Sequence, residues 1–317
     1  PNDHSANLNP VGAGPYIFKK YKKGESVELL KNKNFYIKGL PYFDRLVMRI
    51  IPDSVSQLLA LQSGEVDYID RVPGAELKRL QNNPSITLAR NTAGPGGGNC
   101  IVTITYNLDK NKTSNLAVRK ALAHAIDRDR IVKQVLFGLG RVASAPINKG
   151  IAWAHENNSL KEYDFSPQKA EDLLDQAGYK RKSDGIRMTL DIVHFPRFSK
   201  YIEAMKQDLS KVGINLVSRA LDRSAAVSTI FGKRDFDLNL ISYCNGADPD
   251  IGVKRMYVST NIGNIPFSNG AAYRNLKIDS LFDDAGQIAD NNLRAKKYKQ
   301  ILKEVGDIIK MKLCPSL

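Results

Sequence analysis

The chain has 317 residues, 47 Lys and Arg against 33 Asp and Glu, and a formal net charge of +14. Its 42% hydrophobic and 25% charged content is that of an ordinary globular protein. The length allows two packed lobes, although one large domain fits it as well. No apolar run approaches the ~20 residues needed to span a bilayer, and the opening PNDHSANLNP has no charged region leading into an apolar core, so no signal peptide is visible. A start on Pro1 points to processing or to a sequence that begins mid-protein.

Residues 1–100 read as strand-rich. YIFKKY and VELLKN flank KKGES, a charged turn with a glycine, which is a hairpin signal. FDRLVMRII is a further strand stopped by Pro52, after which Asp53 or Ser54 caps a short helix, SVSQLLALQSG, ended by Gly64. VDYIDRV, a helix over AELKRLQNN, and ITLAR follow. NTAGPGGGN reads as a flexible connector; its glycines lack the strand and helix context of a phosphate-binding loop. CIVTITYNL is a strong β run.

From Ser114 the pattern turns helical. SNLAVRKALAHAID places Val118, Ala121, Leu122 and Ala125 on one face, with Ser114 as its cap, and Asp127 caps RDRIVKQVLFG, which Gly138 ends. SPQKAEDLLDQAG has Ser166 at the cap, Pro167 in the first turn and Gly178 just past the end. Strands IRMTLDIVHF, INLVSRAL and FDLNLISY alternate with helices over Ile186–Tyr243, a β-α-β-α-β succession of parallel strands. NNLRAKKYKQILKEVGDIIKMKL is expected to be one long helix with Tyr298, Ile301, Leu302, Val305, Ile308 and Ile309 on its core face.

The Lys and Arg are spread over every segment, from KKYKKGESVELLKNK to RAKKYKQILKEV, and no basic helix with interleaved aromatics stands out. The charge therefore reads as solvated surface rather than a nucleic-acid footprint. Three cysteines, Cys100, Cys244 and Cys314, without CxxC spacing support neither a disulfide framework nor a zinc site, and the sequence leaves open whether one pair bridges. Four histidines are isolated, and His124, on the flank of an apolar face, reads as structural.

In open α/β sheets, ligands bind outside the carboxyl ends of the strands. FDLNLISY runs into CNGADPD, a loop of carbonyls, amides and carboxylates, so Asp235–Asp250 is the candidate ligand-contacting edge. Asp248 and Asp250 could do acid–base work or hold Ca²⁺. DPD lacks the alternating oxygen ligands of a calcium loop, however, and Asp-Pro is a common turn former. Turn and cap duty is the preferred reading, ligand contact the second and catalysis the last. Arg255 pairs with one of these aspartates or with an acidic group on a ligand, the aspartate being the plainer partner. No catalytic residue, metal ligand or cofactor is assigned.

Several segments resemble those of the family 5 extracellular solute-binding proteins, the dipeptide, oligopeptide and nickel binders of bacterial ABC importers. NPVGAGPYIFKKYKKGE is similar to that family's NPVGTGPY hairpin, and VMRIIPDSVSQLLALQSGEVDYI to its strand–helix–GEVD segment. SNLAVRKALAHAIDRDRIVKQVLFGLGRVASAPI resembles its VRKALxxAIDRxxIVxxVxxGxGxPA signature, and SPQKAEDLLDQAGY, the ADPD loop and FSNGAAYRNLKIDSLF continue in order.

The resemblance implies an α/β fold of the type II periplasmic binding protein kind. Residues 1–100 would be part of a first lobe with a hinge near 94–106, residues 101–313 a second lobe with its β-α-β-α-β unit at 186–243, and residues 314–317 the start of a return to the first lobe. Family members carry a long segment before the hairpin and a closing segment after the last helix. The resemblance therefore implies a fragment lacking both, without the family's signal sequence, that binds ligand poorly. It further implies a monomeric, non-enzymatic receptor without a cofactor, periplasmic or lipid-anchored, that closes two lobes on an oligopeptide, dipeptide or similar solute and delivers it to a permease and its ATPase.

The implied ligand residues are Ser242, Tyr243, Cys244, Asn245, Asp248 and Arg255. Ser242, Tyr243 and Cys244 would run beside the ligand like an added strand. In peptide-binding members a nearby Asp holds the ligand's amino terminus. Here a gapless count puts Gly246 at that place and a two-residue shift puts Asp248 there, which keeps opines, sugars and metal chelates open as ligands. Core packing is the alternative for Tyr243. An enzyme using Asp248 and Asp250, and a basic protein on nucleic acid or anionic membrane, are the rival readings.

Overall fold

A charged turn opens the first unit. In the computed structural model, which describes residues 8–70, 72–89, 100–156, 163–263, 265–306 and 311–315, Tyr16–Lys22 (β1) pairs antiparallel with Ser26–Lys31 (β2). Gly24 takes φ +73°, the left-handed value the turn needs. Arg45–Arg49 (β3) adds to the far side of β2. Asp53 then caps Ser54–Gln62 (α1), its Oδ1 accepting the Ser56 amide at 2.8 Å, and Leu77–Gln81 (α2) follows. VDYIDRV and ITLAR form no strand among the described residues. The sheet stops at β1-β2-β3, and an extended segment without a ladder partner is not made a strand by propensity alone.

The chain divides into Pro1–Thr87 and Leu88–Leu317. Most of the connector, including Gly94, lies outside the described residues, and Cys100–Tyr106 (β4) is a largely buried strand of the second unit.

The second unit continues with Asn111–Ser114 (α3) and Leu116–Ala125 (α4). Asn115, not Ser114, caps α4: its Oδ1 accepts the Ala117 amide at 2.9 Å, while Ser114 closes α3 and bonds the Asn111 carbonyl. Arg128–Gln134 (α5) is capped by Asp127, and Pro167–Gln176 (α6) by Ser166, with Gly140–Val142 (β5) between them. Then come Met188–His194 (β6), Ser199–Lys211 (α7), Ile214–Ala220 (β7), Arg223–Val227 (α8) and Leu238–Cys244 (β8). Pro249–Gly252 (α9), Leu276–Gln287 (α10), Asn291–Gly306 (α11) and Met311–Pro315 (β9) complete the unit.

The last strand corrects the sequence reading. The helix expected through Leu313 stops at Gly306, and β9 pairs antiparallel with β4 and β5. Cys314 and Pro315, expected to begin a return to the first lobe, pair with Arg141 and Gly140 instead. Satisfying the outer ladder of β4 outweighs the helical period of the segment. Ile308 and Ile309 lie outside the described residues.

The sheet order is β5-β9-β4-β8-β6-β7. β6 is parallel to both β7 and β8, so the β-α-β-α-β unit has the expected parallel strands. β8 is covered on both faces. Leu238 and Leu240 pack with Leu190, Ile192, Leu122, Leu174, Ile202 and Leu209. Ile241 and Tyr243 pack with Phe282, Tyr298, Ile301 and Leu302 of α10 and α11. Each such apolar side chain contributes about 1.5–3 kcal/mol by leaving water, so β8 is held rigidly up to its carboxyl end. Among the described residues no helix is long and apolar enough to cross a membrane.

Candidate functional site at the carboxyl end of β8

Because β6, β7 and β8 are parallel, His194, Ala220 and Cys244 end on the same side of the sheet. β8 outruns its neighbour. The β6–β8 ladder closes at His194–Leu240, so Ile241–Cys244 has one edge with no strand beside it among the described residues. The other edge stays paired with β4 down to Cys100–Cys244, and those two cysteines form a disulfide. The stretch is thus anchored along one side and has no ladder partner along the other among the described residues, with Ile241 and Tyr243 buried.

The loop beyond it is fixed by its own side chains. Asn245 is buried, and its Oδ1 accepts the Asn148 amide at 2.8 Å. A Cβ on Gly252 would lie 2.4 Å from the Asn245 carbonyl carbon, so α9 folds back against the loop at a distance only glycine permits. Asp248 caps α9 by accepting the Asp250 amide at 2.9 Å. Its two oxygens also take both terminal nitrogens of Arg294, at 2.7 and 2.9 Å. Burial pushes the Asp248 carboxyl up, but the Arg294 and Asp250 hydrogen bonds outweigh it and hold the group below its ordinary range. Arg294 is itself placed by the Ala285 carbonyl, the Tyr298 hydroxyl and the Trp153 ring, over which it lies at 5.2 Å.

The candidate residues therefore separate. Tyr243 is 1% exposed, its hydroxyl 3.4 Å from the Ser268 carbonyl, and burial holds its phenol well above the ordinary value. Its side chain belongs to the core, the alternative the sequence left open. Ser242 is half-buried, Cys244 is exposed within its disulfide, and Asn245 and Asp248 are engaged in the loop. Arg255 does not pair with either aspartate. Asp248 is taken by Arg294, and Asp250 lies 3.5 Å from Lys254, which also reaches Asp283 at 3.0 Å. Arg294 carries no local sequence signal, since the contact joins residues far apart in the chain; the capping role of Asp248 was legible in Asp-Pro.

The histidines near this sheet are structural. His194 bonds the Phe195 carbonyl and Ser218 Oγ, and burial lowers its pKa; His124 Nδ1 meets the Asp164 carbonyl at 2.7 Å. Among the described residues no group of three or more His, Cys, Asp or Glu could hold a metal ion.

Sequence comparison supplies the kinship of this α/β sheet. Residues 1–264 match the model of the bacterial extracellular solute-binding proteins, family 5 Middle, and the chain belongs to that family. Heme-binding protein A of Haemophilus influenzae (strain ATCC 51907 / DSM 11121 / KW20 / Rd) is 30% identical over 302 residues, covering 92% of this chain and 52% of that protein. The oligopeptide-binding protein AppA of Bacillus subtilis (strain 168) is 28% identical over 311 residues, covering 94% and 55%. The structure of NikZ from Campylobacter jejuni in complex with Ni(L-His) superposes with a TM-score of 0.81 at 26% identity, covering 98% of this chain and 64% of that one. The α/β fold expected from the sequence is thus the fold of family 5 binding proteins. The chain spans about half the length of the curated relatives it matches.

Proposed function

We propose that the whole protein is the solute-binding component of a bacterial ABC importer, monomeric and periplasmic or lipid-anchored, which captures a small solute and hands it to a permease and its ATPase without chemical change. Family membership supports the class. The observation that carries the site is the unpaired edge of Ile241–Cys244 beyond the last β6 pair. An extended ligand laid there gains main-chain hydrogen bonds as an added strand. An oligopeptide or dipeptide offers the matching backbone, and a non-peptide solute with amide or carbonyl groups is the alternative.

In this reading Ser242 and Cys244 contribute backbone contacts, Tyr243 stiffens the strand from behind, and Asn245 and Asp248 shape the loop. An acid–base role for Asp248 is disfavoured, because its carboxylate is matched by Arg294. Native mass spectrometry of the whole protein, purified without denaturation, should reveal a stoichiometric small solute or a peptide mixture. A protein that carries no solute, and whose melting temperature no peptide or small-solute library raises, contradicts the proposal.

A further inference from the structure

The loop beyond β8 has its polar side chains turned into protein and its apolar ones turned out. Asp248 is taken by Arg294 at 2.7 and 2.9 Å. Asp250, half-buried, lies 3.5 Å from Lys254 and against α10, where a Cβ on Gly286 would stand 3.5 Å from its Oδ1. Asn245 is buried and accepts the Asn148 amide. What the loop leaves exposed is Cys244 within its disulfide, Ala247 and Ile251. Ile251 is the large one, 70% exposed. A lone exposed aliphatic residue is ordinary on a protein surface. One that stands out of a turn whose carboxylates and amide are all engaged by protein forms an apolar spot at the mouth of a candidate site.

The backbone holds Ile251 in place. Its amide donates to the Asp248 carbonyl at 3.1 Å, and Gly252, the next residue, sits against the Asn245 backbone at a distance only glycine permits. Ile251 Cγ2 lies over Gly246, 3.4 Å from where a Cβ on that glycine would stand. Gly246 is two residues past Cys244, so the exposed methyl groups stand just beyond the carboxyl end of β8. The side chain is β-branched and stiff. Covering a fixed apolar group releases water at little cost in side-chain freedom.

We infer that Ile251 is a specificity-determining residue, and that the solute laid along β8 presents an apolar group that packs on Ile251 and Gly246 beyond the strand end. The inference rests on the solute-binding reading above and adds the character of the group received there.

Isothermal titration of the whole protein with trialanine and its three single-leucine forms tests it. Leucine at one position should bind about fivefold or more tightly than trialanine. In Ile251→Ser that gain should shrink to about twofold or less, and in Ile251→Leu it should persist, with unchanged melting temperatures showing that both variants fold. A gain that survives intact in Ile251→Ser, or no gain at any position, overturns the assignment but leaves solute binding standing. If none of the four peptides binds, the solute that co-purifies, or the one from the library that raises the melting temperature, takes their place. Ile251→Ser should then weaken that solute about fivefold or more, and undiminished affinity overturns the assignment. If no such solute is found, the solute-binding reading itself has failed and the inference falls with it.

Discussion

Arg294, near the start of α11, grips Asp248 in the β8–α9 loop through two parallel hydrogen bonds of 2.7 and 2.9 Å. The pair joins the loop that follows β8 to a helix whose Tyr298, Ile301 and Leu302 share a core cluster with Ile241 and Tyr243 of β8. Asp248 also caps α9, so one carboxylate fixes both the start of that helix and the position of the loop.

Removing the arginine leaves a partly buried carboxylate with one amide partner. Arg294→Ala should lower unfolding stability by about 1–3 kcal/mol, a range discounted for the partial exposure of both groups. Asp248→Asn in the same background should cost less than it does in the wild type, with a coupling of ~0.5–3 kcal/mol in a double-mutant cycle. Urea denaturation of the four proteins measures this. Additive losses would show that the pair contributes nothing as a pair.

Two carboxyls predict opposite responses to pH. Asp248 is held below its ordinary range, so the unfolded chain takes up its proton first, and its stabilisation is present at neutral pH and fades as pH falls through the acidic carboxylate range. Asp237 is pushed up by burial, with Asp191 adding repulsion, so it favours the fold at low pH and opposes it once pH rises through its folded value. Asp237→Asn keeps an oxygen for the Asp191 amide, which the aspartate accepts at 3.1 Å. The variant should therefore gain stability relative to wild type between pH 4 and pH 7. A gap in urea midpoints that stays constant or shrinks over that interval refutes the assignment.

Gly252 has no room for a methyl group, since the nearest atoms are loop backbone rather than movable side chain. Gly252→Ala should cost about 1–3 kcal/mol and displace Asn245 from Asn148. Loss of the Asn148 amide's protection in hydrogen exchange reports that displacement. A variant that melts with the wild type and keeps this protection contradicts the packing described.

The Cys100–Cys244 bridge ties β4 to the end of β8 across a sequence separation of 144. Thiol titration of the denatured, unreduced protein should find Cys100 and Cys244 unreactive. Replacing both bridged cysteines by alanine should lower stability by about 2–5 kcal/mol. Three reactive thiols before reduction would exclude the bridge.

Legibility in the sequence followed the range of each interaction. The β6-α7-β7-β8 succession could be read because alternation, helical period and capping residues are local, and β8 end-on to its loop follows from parallel pairing. Asn115 displaced Ser114 as a cap because the preceding residues form a short helix of their own, a difference of one position that pattern does not decide. β9 was hidden because its ladder partners lie far away in the chain, and its segment continues a helical apolar period. Arg294 was missed for the same reason, as no spacing links it to Asp248. At the site, composition marked the loop, but only coordinates distinguish a carboxylate already matched from one open to a ligand.

The most direct measurement is hydrogen–deuterium exchange of the whole protein with and without its co-purified or best-binding solute. A solute lying along β8 should slow exchange selectively in the segment containing Ile241–Cys244 and leave the first-unit hairpin, Tyr16–Lys31, unchanged apart from global stabilisation. Unaltered exchange across that segment at saturating solute, with protection arising elsewhere, would contradict the placement of the site.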